Sequence, residues 1–174
     1  MEIRRLDRET YAGRGFTARY ETHGYYDIRA TGGGFALEYV PLKAGVKKSF
    51  DDVMFGEWLD DPVAYGAFEG ESMLGFAEGF WERWNKRYRI SNICVFDAAA
   101  RRSGVGTALM NAMIDEAKAV SARMAVLETQ TCNENAIAFY RKNGFEIIGF
   151  DMYAYSNFDP EHHEVRLEMG RKLT

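Results

Sequence analysis

An apolar, β-branched run, Ile90-Ser91-Asn92-Ile93-Cys94-Val95-Phe96, is followed closely by Arg101-Arg102-Ser103-Gly104-Val105-Gly106. Beyond it, Val105, Leu109, Ala112, Met113, Ala117 and Val120 recur at three- and four-residue intervals. The run reads as a buried strand and the stripe as an amphipathic helix over about 104–121, so two glycines sit where a strand hands over to a helix. The first N–H groups of a helix have no intrahelical acceptor, and the helix dipole adds partial positive charge there. Gly104 and Gly106 leave room for a ligand to approach bare amides, and Arg101 and Arg102 add charge beside them. The chemistry expected is an anion cradle suited to a pyrophosphate.

Two familiar cradles do not fit. A P-loop needs Lys-Ser/Thr after its last glycine, and Thr107-Ala108 stands there. A dinucleotide fingerprint needs a third small residue where this chain has Leu109. Composition narrows the class further. The 174 residues are 47% hydrophobic and 14% aromatic, which suits one globular domain, expected over 1–174. A net charge of −4 argues against nucleic acid and is compatible with a cationic substrate. No apolar run approaches the ~20 residues of a membrane span, and the N-terminus lacks a signal-peptide core, so a cytoplasmic location is expected. Cys94 and Cys132 give no disulfide framework, and no metal site is expected; His162-His163 lack a third ligand at suitable spacing.

Along the chain, residues 1–22 are weakly patterned, with room for a short strand and an irregular lead-in. A hairpin is expected from 24–30 and 35–40 around Thr31-Gly32-Gly33-Gly34. Phe50, Val53, Met54 and Trp58 carry the spacing of a short helix within 43–61, ended by Asp60-Asp61-Pro62. An antiparallel meander follows, with strands at 63–68, 73–81 and 88–96. After the helix come a strand at 124–129, parallel to its neighbour through the helical crossover, a helix at 133–142 stopped by Asn143-Gly144, and strands at 145–155 and 164–173. The fold class is α+β.

Asn133-x-x-Ala136-x-x-Phe139-Tyr140-x-x-x-Gly144-Phe145 follows a strand about 30 residues beyond the first motif. Arg-x-x-Gly-x-Gly opening a helix, with this second block after it, resembles the GCN5-related N-acetyltransferase (GNAT) superfamily. Within it, Trp84-Asn85, Leu127-Glu128-Thr129-Gln130, Gly149-Phe150-Asp151 and Tyr155-x-Asn157-Phe158 resemble the streptothricin acetyltransferases over about residues 60–173. The resemblance implies a mixed, mostly antiparallel twisted sheet with helices on both faces and central strands splayed to hold acetyl-CoA. It implies an N-acetyltransferase acting on a primary amine of a small cationic substrate such as streptothricin, with no nucleic acid or membrane partner. A homodimer is left open.

Position by position, the resemblance implies that the amides of 102–107 (Arg102, Ser103, Gly104, Val105, Gly106, Thr107) with Arg101 hold the coenzyme A pyrophosphate. The Val95 backbone would pair with pantetheine and polarise the acetyl carbonyl. Asn133 would reach the cofactor from its helix start, and Tyr140 would protonate the departing thiolate. The group's acidic pair in the central strand is Ser91-Asn92 in this chain, which leaves Glu78, Glu82, Glu128 and Asp151 as carboxylates to serve as base. Glu128 is preferred on resemblance. Alternation puts Glu78 on a face with Leu74, Phe76 and Phe80, where burial would raise its pKa, although an edge-exposed glutamate is the commoner arrangement. Two other readings stay open: another amine acceptor, such as a polyamine, an aminoglycoside-like compound or a protein amine, or a non-catalytic acyl-CoA-binding module.

Overall fold

The computed structural model describes residues 1–96 and 103–174. The chain divides into two units, one of Met1–Arg19, Ser49–Leu127 and Arg171–Thr174, the other of Tyr20–Lys48 and Glu128–Gly170.

The first unit contains β1 (Glu2–Arg5), α1 (Arg8–Tyr11), the outer ends of two long strands β2 (Gly15–Thr31) and β3 (Gly34–Val53), then β4 (Val63–Glu69), β5 (Ser72–Glu82), β6 (Arg87–Val95), α2 (Val105–Ala119) and the start of β7 (Met124–Gln130). Its strands lie in the order β1-β4-β5-β6-β7. All neighbours are antiparallel except β6 and β7, which α2 connects as a crossover and which therefore run parallel. Helix α2 lies against β1, β4, β5 and β6. It buries Val105, Leu109, Met110, Met113, Ile114 and Ala117, the stripe read from the sequence, each large side chain contributing about 1.5–3 kcal/mol. A second cluster joins Phe76 and Cys94 to Leu6, Phe16, Met54, Phe55, Ala64 and Phe68, with Tyr11 of α1 packed on it. Phe76 and its neighbour Ala77 are both fully buried, so β5 is covered on both faces.

Two features shape the middle of this sheet. The register passes from Glu78↔Asn92 to Gly79↔Ile90, which leaves Ser91 as the extra residue of a β-bulge. Gly79 is required beside it, since a Cβ there would lie 2.5 Å from the Arg89 carbonyl oxygen. The parallel ladder runs only from Arg87↔Met124 to Arg89↔Val126, and beyond it β6 and β7 share no ladder pair within this unit. β6 itself stays paired with β5 as far as Gly75↔Val95. The strands part where splaying was expected.

The second unit contains the hairpin of β2 and β3, the end of β7, α3 (Glu134–Lys142), β8 (Glu146–Asp151), the one-turn α4 (Asp159–His162) and β9 (Arg166–Lys172), in the strand order β7-β9-β8. The hairpin is tied to the start of α3. Glu134 accepts the His23 N–H at 2.6 Å and the Tyr39 hydroxyl at 2.5 Å, and Asn135 donates to the Glu21 carbonyl at 2.9 Å.

Several expectations change. The helix expected within 43–61 is absent: residues up to Val53 belong to β3, and turns follow. Phe50 and Val53 are exposed on the strand while Met54 and Phe55 are buried, so the apparent helical spacing mixes residues of two environments. The expected strands 24–30 and 35–40 are the inner parts of strands of 17 and 20 residues. The strand expected over 145–155 ends at Asp151, where Asp151 accepts the Tyr153 N–H at 3.1 Å and turns the chain. Among the described residues, no helix is long and apolar enough to cross a membrane.

Candidate active site

The residues expected to cradle an anion fall in the first turn of α2 and just before it. Gly104 is the N-cap residue with φ +89°, a left-handed conformation open to glycine, and among the described residues no side chain caps the helix. A Cβ at Gly104 would meet nothing within 4 Å, so backbone conformation rather than space is what demands glycine. The first intrahelical bond is Ala108 N–H to the Gly104 carbonyl at 3.0 Å, which leaves the amides of Val105, Gly106 and Thr107 without helical acceptors. The first turn carries no acidic residue to compete with an anion. Ser103 and Gly104 are exposed, Val105 is fully buried and anchors the turn. Arg101 and Arg102 lie outside the described residues.

Along β6 the same unit holds Val95, the last residue of the strand, with Phe96 N–H bonded to the Leu74 carbonyl at 2.9 Å. Three residues before Val95, Asn92 lies opposite Glu78. Glu78 is 0% exposed, between Ala64 on β4 and Asn92 on β6 and on the face of Phe76. Its Oε2 accepts the Phe55 N–H at 2.8 Å and its Oε1 accepts from Asn92 Nδ2 at 2.9 Å. Asn92 Nδ2 also donates to Asp52 Oδ2 at 3.2 Å. Burial holds the Glu78 carboxyl above the usual carboxylate range despite these two donors, with the Asp52 charge adding to the rise. Asp51 and Asp52 also line a cleft of about 500 Å³ with Gly15, Phe16, Thr17 and Val53. Glu78 is thus buried, contrary to the commoner edge-exposed arrangement, and its grouping with Asp52 depends on a long-range approach that no sequence spacing signals.

Glu82 plays a different part. It accepts from Arg87 Nε at 2.9 Å, Arg89 Nε at 2.6 Å and Asn85 Nδ2 at 3.1 Å, and Asn85 Oδ1 accepts the Arg87 N–H at 3.0 Å. Asn85 of the Trp84-Asn85 motif therefore has a structural use, closing the β5–β6 turn.

The second unit holds Glu128, Asn133 and Tyr140. Asn133 caps α3, its Oδ1 accepting the Ala136 N–H at 3.3 Å, which leaves its Nδ2 to donate elsewhere. Tyr140 is 8% exposed on α3, its ring 5.6 Å from that of Phe139 and 6.3 Å from that of Phe145. Glu128 is an exposed residue of β7. It accepts from the Tyr155 hydroxyl at 3.3 Å and lies 3.6 Å from Arg166 Nη1, and Arg166 also reaches Asp151 at 3.6 Å. Burial and the Glu128 charge push the Tyr155 hydroxyl up. Neither Tyr155 nor Arg166 stood out as a partner of Glu128 in the sequence. Cys132 is buried, with the Tyr20 hydroxyl 3.4 Å from its Sγ, and His163 stacks on Tyr25 with ring centroids 3.6 Å apart.

Known proteins are similar to this chain in sequence and fold. The model of the acetyltransferase (GNAT) family matches residues 35–145. Streptothricin acetyltransferase of Streptomyces lavendulae is 32% identical over 89% of this chain and 86% of its own length. Streptothricin acetyltransferase A of Bacillus subtilis (strain 168) is 39% identical over 70% of this chain and 75% of its own. The crystal structure of nourseothricin acetyltransferase superposes with a TM-score of 0.81 at 26% identity, covering 99% of this chain and 98% of that one. A Bacillus anthracis str. Ames protein solved with acetyl coenzyme A shares the fold, with a TM-score of 0.75 at 24% identity over 99% of this chain and 97% of that one. A family match over residues 35–145 and a relative 32% identical over 89% of this chain make it an N-acetyltransferase of the acetyltransferase (GNAT) family, whose members use acetyl-CoA.

Proposed function

We propose that this chain transfers the acetyl group of acetyl-CoA to a primary amine of streptothricin. The observation that carries the reading is the similarity to two streptothricin acetyltransferases, one of them aligned over 89% of this chain. In this reading the amides of 102–107, with Arg101 and Arg102, hold the pyrophosphate. The Val95 backbone pairs with pantetheine, its amide polarises the acetyl carbonyl, and Asn133 donates to the cofactor. Glu128 takes a proton from the substrate ammonium, and the neutral amine attacks the carbonyl carbon. As the C–S bond breaks, the Tyr140 hydroxyl gives its proton to the sulfur and the attacking nitrogen gives up its extra proton to the phenolate so formed, and the amide and free coenzyme A leave together. The uncapped first turn of α2 and the burial of Tyr140 support these assignments.

A second reading keeps the chemistry and changes the amine. Ser91-Asn92 in place of the acidic pair favours it, because two negative charges are missing from β6 itself. The test is the product: incubation with acetyl-CoA and streptothricin, followed by mass spectrometry of the antibiotic. A monoacetylated antibiotic formed only with active protein is the expected result. Unmodified streptothricin alongside an acetylated polyamine or aminoglycoside would move the assignment to the second reading.

A further inference from the structure

We propose that Glu78 is a positioning residue for the acceptor amine, acting through Asn92, whose side-chain carbonyl oxygen it turns outward to receive a hydrogen bond from the substrate's amino group. The inference deepens the acetyltransferase reading above and rests on it.

The place of Asn92 comes first. It lies on β6 three residues past Arg89, the last β6 residue laddered to β7 in this unit, and three before Val95. It is half-buried, within the stretch where the strands have parted. Its orientation follows from its neighbours. Glu78 Oε1 at 2.9 Å and Asp52 Oδ2 at 3.2 Å both face the same Asn92 atom. Two carboxylate oxygens can accept hydrogen bonds but cannot donate them, so that atom is Nδ2 and both of its hydrogens are used. Oδ1 is the polar atom left over. Glu78 cannot turn away, because its other oxygen holds the Phe55 N–H and its side chain is fully buried among Ala64 and Phe76.

The electrostatics point the same way. Glu78 is a buried carboxylate with hydrogen-bond donors but, among the described residues, no paired cation. Buried charges are ordinarily matched. Here Glu78 and Asp52 stand behind a neutral carbonyl, so a cationic group arriving at Asn92 Oδ1 meets an acceptor backed by two carboxyl groups. The carboxyl groups come from β5 and from the end of β3, with Asn92 as the contact between them and the substrate.

Glu78 also has a purely structural duty, since it fixes Phe55 at φ +53°. The test must separate the two. Steady-state kinetics would be measured with acetyl-CoA and streptothricin for wild type, Glu78→Gln, Asn92→Ala and the double variant, with thermal melts alongside. Asn92→Ala is expected to raise the amine KM about tenfold, as for the loss of a hydrogen bond to a charged group, with the acetyl-CoA KM within about twofold. Glu78→Gln is expected to do the same, and to add little in the Asn92→Ala background, because its effect passes through that side chain. Should Glu78→Gln fail to fold, Asn92→Ala alone decides whether Asn92 reads the amine. An unchanged amine KM in Asn92→Ala, multiplicative effects in the double variant, or equal rises in both KM values would overturn the inference while leaving the acetyltransferase reading intact. Wild-type protein that acetylates no streptothricin would refute the substrate reading and this inference with it.

Discussion

Gly104→Ala is the most direct perturbation of the proposed cofactor cradle. Gly104 occupies φ +89°, ψ −1°, where a Cβ crowds the chain's own backbone. For an L-residue this conformation costs about 1–2 kcal/mol. No neighbouring atom lies within 4 Å of the added methyl, so the whole cost is conformational. For a chain of this size, about 2–4 °C is lost per kcal/mol, giving an expected fall of about 2–8 °C in melting temperature. If the first turn relaxes to relieve the strain, the amides of Val105, Gly106 and Thr107 turn from their common focus, and the KM for acetyl-CoA should rise about tenfold with the amine KM unchanged. Gly104→Asn is the control, because Asn enters the left-handed region more readily than Ala. It should recover more than half of both losses. Calorimetric melts and thiol-release kinetics on the three proteins read both quantities. An alanine variant that melts and binds acetyl-CoA like wild type would refute the claim that a left-handed Gly104 sets the cradle.

Three further outcomes follow from the same geometry. Glu82 has burial raising its pKa, but the hydrogen bonds from Arg89, Asn85 and Arg87 outweigh that and hold it below the usual range. Its contribution is therefore present above the unfolded carboxylate pKa and lost as pH falls through the folded value. Glu82→Gln should cost about 1–3 kcal/mol in urea denaturation at pH 7, and the gap from wild type should narrow below about pH 4. Tyr140→Phe should lower kcat about 100-fold while both KM values hold within about twofold, read by thiol release; a kcat near wild type would remove Tyr140 from the proton-donor role. Leu109→Ala, at a fully buried position on α2, should destabilise by about 2–5 kcal/mol in the same denaturation assay, whereas Thr107→Ala on the exposed side of that helix should stay within about 0.5 kcal/mol.

How far the sequence carries the structure depends on how each residue earns its place. Strands β4 to β7 and helices α2 and α3 were legible because both faces of β5 and one face of each helix are buried, which writes a clear apolar period. The hairpin's turn was legible as well, but the full length of its strands was not, because most of β3 is exposed and its alternation carries little hydrophobic contrast. Phe50, Val53, Met54 and Trp58 then mimic a helical stripe although only Met54 of the four is buried. At the candidate site, Asn133 was legible because capping is local chemistry, decided within a few residues, whereas Gly104 was read for the room it leaves a ligand and its left-handed conformation was not. The Glu78–Asn92–Asp52 group was not, since it joins residues 14 and 40 positions apart across three strands. Alternation along β5 did place Glu78 among apolar neighbours; what it could not supply was the donor from Phe55 that makes a buried carboxylate tenable there.

The measurement that bears most directly on the whole account is the ratio of kcat/KM for streptothricin to that for spermidine, taken by acetyl-CoA-dependent thiol release with the wild-type protein. The account predicts that streptothricin is preferred by at least about 100-fold, with release dependent on both substrates. A ratio near one, or a preference for spermidine, would contradict it.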